Sequence, residues 1–291
     1  MKQFAHLITQ LDQTNKTLKK VAALKTYLDE ASNEDKLWTI AILSHKRPKR
    51  TVKTTELKLW ASEMANIPLW LFEETYHIVG DLAETLAKVH PNLNSTSDNS
   101  LTDWIEYIKN FSDLEEDVKK EAVLKAWNTL DPTERFIFNK LITGGWRIGL
   151  SQKLMTRALA QHTGIEENIL SHRLMGKWSP DTTNYHQLII EPDPMEQVSQ
   201  PYPFYLANAV DGKPEDLGAV ENWQAEYKWD GIRGQLIKRK GEVFIWSRGE
   251  ELVTDKFPEL GELAKHLPNG VVIDGEIMGY KDGAPLNFND L

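Results

Sequence analysis

The sequence contains no cysteine among its 291 residues. This absence excludes disulfide bonds, thiolate metal sites and cysteine nucleophiles. No apolar run reaches the roughly 18 residues that a membrane-spanning helix needs, and polar residues interrupt the N-terminal segment where a signal peptide would have its apolar core. The eight histidines lack a ligand spacing such as H-x-x-x-H, which argues against a zinc site. These absences favour a cytoplasmic protein that does not associate with membranes.

Acidic residues outnumber basic residues in the whole chain, but basic residues are in excess near its N-terminus. The formal net charge is −9, whereas residues 1–53 hold 11 Lys/Arg and only 5 Asp/Glu. Salt screens charges over about 8–10 Å, so the local potential decides whether a surface binds phosphates. The negative net charge therefore does not exclude a nucleic-acid-binding face, and the excess of basic residues near the N-terminus indicates where such a face would lie.

The first two thirds of the chain carry helical patterns. Apolar residues recur at i, i+3, i+4 and i+7, and two later helices have recognisable ends. Asp131 and Pro132 begin one of them, and Ser151 and Gly164 enclose the other. Helices are predicted over residues 4–11, 16–28, 37–43 and 81–89, from Pro132 through the apolar residues 136–138, between Ser151 and Gly164, and over residues 166–176.

The pattern of the sequence changes from helical to strand-like near residue 200. Residues 191–203 contain four prolines and no helical period, which indicates a domain boundary. Strands are predicted at residues 234–237 and 243–246, joined as a hairpin, and at residues 271–278. The predicted fold class is multidomain α and α+β. Its parts are a helical domain over residues 1–195, a linker at 196–204 and a partial mixed domain at 205–291.

The strongest chemical signal is the segment Glu-Tyr-Lys-Trp-Asp-Gly-Ile-Arg at residues 226–233. Lysine attacks a phosphate only when its amine has lost a proton, which a desolvated or metal-flanked site promotes. Gly231 permits close approach of the backbone to a ligand, and Arg233 offers a planar donor for phosphate or ribose oxygens. The tetrapeptide K-x-D-G alone is equally compatible with a charged lead-in to a hairpin, so its neighbours decide.

Two further segments follow in order. The first contains Ser247-Arg248-Gly249-Glu250-Glu251 and then Lys256-Phe257-Pro258-Glu259-Leu260. The second is Val272-Ile273-Asp274-Gly275-Glu276-Ile277. Together with residues 226–233, they resemble motifs I, Ia and III of the ATP-dependent DNA ligases, which belong to the lysine nucleotidyltransferase superfamily. Three motifs in family order are far more specific than any one of them.

The N-terminal region supports the same resemblance. Three segments are similar to the helical DNA-binding domain of a bacterial subfamily of these ligases: Phe4-Ala5-His6-Leu7, Gly80-Asp81-Leu82-Ala83 and Trp146-Arg147-Ile148-Gly149-Leu150-Ser151. The resemblance implies an all-helical DNA-binding domain, followed by the first part of a mixed α/β nucleotidyltransferase domain with an ATP-grasp-like fold.

The resemblance also implies roles for individual residues. Lys228 would attack the α-phosphate of ATP and hold AMP, while Glu226 would accept a hydrogen bond from the adenine amino group. Arg233 and Arg248 would bind ribose and phosphate or the nicked strand. Glu276 would hold the ribose hydroxyls or, with Asp230, a Mg²⁺ ion. The expected cofactors are ATP and Mg²⁺, and the expected partner is nicked duplex DNA bound by a monomer.

Contacts to DNA are expected from two N-terminal features. A basic loop carries Lys46, Arg47, Lys49 and Arg50. Such a cluster suits DNA phosphates, although a merely solvated loop is the alternative. The second feature is the glycine-rich turn at residues 144–149, whose Arg147 suits phosphate contact from a loop next to a helix.

The sequence ends at Leu291, soon after the segment that resembles motif III. We therefore expect a fragment of a longer ligase or a truncated gene product, which binds DNA but does not seal nicks by itself. Two alternatives remain: an RNA ligase or capping-type nucleotidyltransferase, and a non-catalytic DNA-binding fragment. The long helical N-terminal region counts against the first, and ATP-dependent labelling of the protein would exclude the second.

Overall fold

A computed structural model describes residues 1–91, 97–144, 146, 150–175, 178–192, 196–204, 212–249 and 251–286. Contacts between residues divide the chain into two units. The first unit comprises residues 1–167 and 177–191, and the second comprises residues 168–176 and 192–291. The predicted order of a helical region followed by a small mixed α/β region is confirmed. Among the described residues, no helix combines the length and the apolar character required to span a membrane.

The first unit is helical. Its helices are α1 (Lys2–Asp12), α2 (Thr17–Glu30), α3 (Asn33–Leu43), α4 (Thr54–Met64), α5 (Leu69–Val79), α6 (Leu82–Val89), α7 (Leu101–Lys109), α8 (Glu116–Thr129), α9 (Pro132–Thr143) and α10 (Gln152–Thr163). Helix α6 packs on α9, and α2 packs on α1 and α10. The apolar run at residues 37–43 forms the buried part of α3, as its sequence predicts.

Helix ends follow the predicted signals. Asp131 caps α9 by accepting hydrogen bonds from the backbone N–H groups of Thr133 and Glu134, both at 2.8 Å. Ser151 caps α10, and Gly164 ends it with a φ of +77°. The Asn- and Ser-rich composition of residues 92–100 predicts an exposed loop, of which residues 92–96 lie outside the described residues.

A carboxylate joins two helices that are distant in the sequence. Asp35 of α3 accepts hydrogen bonds from the N–H groups of Leu101 and Thr102, at 3.2 and 2.9 Å, and from the Thr102 hydroxyl at 2.7 Å. These donors belong to the first turn of α7, whose N–H groups lack partners within the helix. Asp35 therefore fixes the start of α7 against α3.

Arg135 is the largest charged side chain in the core of the first unit. It is fully buried, and its guanidinium donates to the carbonyl oxygens of Trp127 and Leu130, both at 2.9 Å, and of Ala87 at 3.5 Å. The side chain thus satisfies carbonyl groups at the ends of α6 and α8 that water cannot reach.

We expect Arg135→Met to destabilise the protein by about 3–5 kcal/mol, because buried carbonyl groups would lose their donor. Urea unfolding followed by tryptophan fluorescence measures the change. The control is Arg157→Met on α10, where the arginine pairs with Glu167 at the surface. That variant should change the free energy of unfolding by less than about 1 kcal/mol. Equal effects of the two substitutions would contradict the role given to Arg135.

The second unit is built on a three-stranded antiparallel sheet. Its strands are β1 (Ile232–Arg239), β2 (Glu242–Ser247) and β3 (Val272–Ile277), in the order β2-β1-β3. The predicted hairpin and third strand are therefore confirmed. The hairpin turn has positive φ at Lys240 and Gly241, as a two-residue turn between twisted strands requires. The remaining elements are α11 (Glu167–Met175), α12 (Glu196–Ser199), α13 (Pro258–Lys265), β4 (Tyr280–Lys281) and β5 (Ala284–Pro285).

Both faces of the β1–β2 hairpin are covered, whereas β3 has no buried residue. On one face, Leu236 and Ile245 form a core with Val253, Phe257 and Ala264, the last of which belongs to α13. The other face carries Gln235 and Trp246.

The second face is covered by the segment predicted as a linker, residues 196–204. The indole N–H of Trp246 donates to the Ser199 carbonyl at 2.7 Å. Gln235 exchanges hydrogen bonds with the backbone of Tyr202, at 2.7 and 3.2 Å. Part of this segment thus belongs to the packing of the second unit, together with residues 168–176.

Candidate functional site

The lysine-bearing segment leads directly into β1. Residues 223–230 have no regular secondary structure, and the side chains of Glu226, Lys228 and Asp230 are exposed. The rings of Tyr227 and Trp229 lie 5.9 Å apart, on either side of the lysine in the sequence. The structure therefore places Lys228 at the surface of the second unit.

Gly231 connects this segment to β3. Its N–H donates to Oε1 of Glu276 at 3.2 Å. A Cβ atom at position 231 would lie 2.3 Å from the carbonyl oxygen of Ile277 and 2.9 Å from Cγ of Met278. Only glycine fits this close approach, and the approach brings the end of the lysine segment against the acidic strand.

Arg233 and Glu276 lie directly opposite each other in the β1–β3 register. The guanidinium Nε of Arg233 donates to Oδ1 of Asp274 at 2.6 Å, and this hydrogen bond raises the pKa of Arg233. The backbone N–H of Arg248 donates to the Arg233 carbonyl at 2.9 Å. Three residues that the motifs single out, Arg233, Arg248 and Glu276, thus meet at one end of the sheet.

Asp274 is a candidate site residue to which the sequence alone gave no role. Its signal was present in the pattern, because residues two apart in a strand point to the same face, and Glu276 was already assigned. What the sequence did not contain was the strand register that sets Asp274 diagonally opposite Arg233.

Two carboxylates near this end of the sheet, those of Asp230 and Glu276, have the oxygen donors that a magnesium ion prefers. Asp230 is exposed and Glu276 is half-buried. No group of three or more His, Asp or Glu residues converges anywhere in the described part of the chain. Mg²⁺ in nucleotide sites is commonly held by one or two carboxylates together with substrate phosphates, so two carboxylates fit such an ion without forming an all-protein cage.

The predicted basic loop lines a groove in the first unit. A cavity of about 730 Å³ is bordered by Lys46, Arg47, Lys49 and Arg50, and also by Lys109 and Trp178. Lys46 donates to the Trp178 carbonyl at 3.1 Å, and its ammonium lies 4.4 Å from the centre of that ring. Burial lowers the pKa of Lys46.

The loop also adjoins the beginning of the glycine-rich turn. Arg50 donates to the Thr143 carbonyl at 2.8 Å. Gly144 has a φ of +80°, and a Cβ atom there would lie 1.2 Å from Nη1 of Arg47. The Arg47 guanidinium therefore lies against Gly144. Arg147 itself lies outside the described residues.

Lys109 and Trp178 were not identified from the sequence as part of the groove. Lys109 pairs with Asp181, and its ammonium lies 4.6 Å from the centre of the Trp38 ring. Each of these two partners lies about 70 residues from Lys109 in the sequence, so no local pattern could show their contact.

Comparison with known families covers both units. The family model described as "DNA ligase N terminus" matches residues 1–160, and the model described as "ATP dependent DNA ligase domain" matches residues 205–291.

Individual relatives carry related names. A "Probable DNA ligase" of Koribacter versatilis is 26% identical over 303 residues, which cover 100% of this chain and 52% of the relative. A "DNA ligase 1" of Korarchaeum cryptofilum is 27% identical over 176 residues, covering 60% of this chain and 32% of the relative. A "Probable DNA ligase" of Sorangium cellulosum is 37% identical over 94 residues, covering 32% and 18% of the two chains. The chain thus spans about half the length, or less, of these relatives.

The helical first unit and the mixed α/β second unit are those of a DNA ligase N-terminal region followed by the start of an adenylation domain. The match to the N-terminal model extends over more than half of the chain. The chain belongs to the ATP-dependent DNA ligase family.

Proposed function

We propose that this chain is the N-terminal part of an ATP-dependent DNA ligase that seals nicks in duplex DNA through a lysyl-AMP intermediate, as a monomer in the cytoplasm. One observation carries the proposal. The segment with Lys228 ends in Gly231, whose N–H bonds to Glu276, directly opposite Arg233. A candidate nucleophile, a cation and a carboxylate are therefore brought to one end of one sheet.

Each residue receives a role from its chemistry and position. The amine of Lys228 attacks the α-phosphorus of ATP, so that an N–P bond forms as the bond to pyrophosphate breaks. Glu226 accepts from the adenine amino group, and Arg233 and Arg248 donate to ribose and phosphate oxygens. The AMP then passes to a DNA 5′-phosphate and leaves when the neighbouring 3′-hydroxyl attacks.

Asp274 is assigned as a positioning residue for Arg233. The guanidinium has a fixed planar geometry, and the 2.6 Å hydrogen bond from Nε holds that plane while the other nitrogen atoms stay available as donors. Glu276 has two proposed uses, because Oε1 accepts from Gly231 while the second oxygen remains for a ribose hydroxyl or a cation.

Mg²⁺ would be held by Asp230 and Glu276 together with the phosphates of ATP. When bound, the ion supplies positive charge that neutralises the triphosphate and the departing pyrophosphate. The two carboxylates orient the ion.

Duplex DNA is assigned to the groove of the first unit. Phosphate binding needs cations that are free to face the ligand, and the four basic residues of the loop differ in the hydrogen bonds that they already make. Lys46 and Arg50 already donate to the carbonyl oxygens of Trp178 and Thr143, so we assign them to shaping the groove. Arg47 and Lys49 are exposed and are assigned to the phosphates.

We expect the double variant Arg47→Ala, Lys49→Ala to bind duplex DNA more weakly and with a smaller salt dependence. Each phosphate contact contributes about 0.9 to the slope of log K against log salt concentration, so the slope should fall by nearly 2. Fluorescence anisotropy with a labelled nicked duplex at several salt concentrations measures it.

The matched control is Lys16→Ala, Lys19→Ala, which removes the same charge from the exposed N-terminal turn of α2. That variant should keep the original slope. If both double variants lower the slope equally, net charge and not the groove determines binding, and the assignment of the groove is wrong.

The reaction class has a direct test. The full-length gene product should become covalently labelled with α-labelled ATP and Mg²⁺, and should pass the label to nicked DNA. Labelling by GTP instead would indicate a capping-type enzyme, and transfer only to RNA would indicate an RNA ligase. DNA binding without labelling would indicate a non-catalytic binding protein. Each of these outcomes would overturn the proposal.

A further inference from the structure

Helix α5 exposes a large apolar surface to solvent. Of its 11 residues, only Phe72 is buried. Trp70, Leu71 and Ile78 are 67%, 39% and 84% exposed. Their spacing of i, i+1 and i+8 places them on one side of the helix, together with Glu74 at i+4. We call these four residues the α5 stripe.

The α5 stripe is held firmly by contacts behind it. Lys58 of α4 pairs with Glu73 at 2.9 Å, and its ammonium lies 4.8 Å from the centre of the Tyr76 ring. Gly80 ends the helix with a φ of +75°, and its N–H donates to the Tyr76 carbonyl at 2.8 Å. The stripe is therefore a preformed surface, and contiguous apolar surface of this kind on a soluble protein marks an interaction site.

Charge within the stripe restricts its partner. Neighbouring carboxylates are neutralised, because Glu73 pairs with Lys58 and Glu63 pairs with Lys120. Glu74 is exposed, and within the described residues it forms no ion pair. A binding partner that covered the apolar residues would also desolvate this carboxylate, which is favourable only if a cation faces it.

The length of the stripe restricts the partner further. A helix of 11 residues is about 16 Å long. Stable association of two folded protein surfaces usually buries roughly 800 Å² on each side, which one such helical face does not supply. A second copy of the chain also places Glu74 near its own counterpart. A short helix with apolar anchors at helical spacing matches the length of the stripe, and a cation among its anchors would face Glu74.

We propose that the α5 stripe is a docking site for a short amphipathic helix of another protein, with apolar anchors that cover Trp70 and Ile78 and with a lysine or arginine facing Glu74. None of its four residues is among those assigned to the adenylation site or to the DNA groove.

The test uses two designed helical peptides that differ at one position. Both carry leucines at i, i+3, i+4 and i+7 and a fluorescent label, and one has lysine within the apolar face where the other has glutamate. The lysine peptide should bind the protein at least about tenfold more tightly than the glutamate peptide. Replacement of both Trp70 and Ile78 by alanine should weaken binding of the lysine peptide at least about tenfold, and Glu74→Lys should reverse the preference between the peptides.

The control variant is Leu18→Ala on α2, which removes another exposed leucine, 74% accessible, far along the sequence from α5. It should leave peptide binding unchanged. Thermal unfolding of the α5 variants should also stay unchanged, since the replaced side chains are exposed. The proposal fails if neither peptide shows saturable binding, or if Glu74→Lys leaves the preference unaltered. It also fails if nicked duplex competes with the peptide, or if Trp70→Ala abolishes a dimer seen by sedimentation, because these results assign the stripe to DNA or to a second copy.

Discussion

Lys228→Arg in the full-length gene product is expected to abolish covalent labelling by α-labelled ATP, a loss of at least about 10³-fold. Arginine keeps the positive charge, but its guanidinium does not lose a proton at accessible pH and cannot attack phosphorus. Lys228 is exposed, so the substitution should leave folding and DNA binding intact. A denaturing gel of the labelled protein measures the loss, and anisotropy with nicked duplex checks binding.

The control for this substitution is Lys240→Arg. Lys240 is an exposed lysine of the same unit, located in the hairpin turn between β1 and β2. Its replacement should leave labelling unchanged. Labelled protein in the Lys228→Arg sample would show that another residue carries the AMP. If Lys228→Arg unfolds as well as losing its labelling, Lys228→Gln provides the test instead, because glutamine also lacks the nucleophilic amine and has a smaller side chain than arginine.

Gly231→Ala is expected to have the second largest effect. The added Cβ would lie 2.3 Å from the Ile277 carbonyl oxygen, so the start of β1 must move away from β3. That movement breaks the 3.2 Å hydrogen bond to Glu276 and displaces the segment that carries Lys228. Displacements near 1 Å can lower rates about 100-fold, and overpacking costs about 1–3 kcal/mol. Labelling rates and urea unfolding measure the two effects.

The glycine of α13 provides the matched control. A Cβ atom at Gly261 would meet no heavy atom within 4 Å. Gly261→Ala should therefore keep full labelling and stabilise the helix by roughly 0.5–1 kcal/mol. Labelling assays run well below the unfolding transition separate misplacement from instability. If Gly231→Ala labels at the unchanged rate there, the close approach of β1 to β3 has no part in the reaction.

Local signals predicted part of the secondary structure, whereas no helix was predicted where α4, α5, α7 and α8 form. The cap at Asp131, the glycine that ends α10 and the hairpin around Lys240 and Gly241 are each determined by a few adjacent residues, so the sequence alone located them. The motif residues of the candidate site were found through the resemblance of three segments to the motifs of the ligase family. Their roles remain predictions, whereas their convergence at one end of the sheet is a property of the fold.

Contacts between distant segments could not be predicted. Lys46 and Trp178 are 132 residues apart, and nothing near Lys46 indicates that its ammonium is already occupied. Asp274 became visible only through the register that pairs β1 with β3. The α5 segment shows that a local pattern can also mislead. An apolar helical face normally indicates burial, whereas Trp70 and Ile78 face solvent.

The hydrogen bonds from Leu101 and Thr102 to Asp35 join two points that are about 66 residues apart in the chain. The stretch between these points contains both the basic loop and α5. The entropy cost of closing a loop rises only slowly, by about 0.6 kcal/mol for each doubling of its length. Insertions or deletions in the connecting loops between α3 and α7 are therefore inexpensive as long as Asp35 and the first turn of α7 remain, whereas α6 in the same stretch is fixed by its packing on α9. The fold leaves these connecting loops free to vary while the helices stay in place.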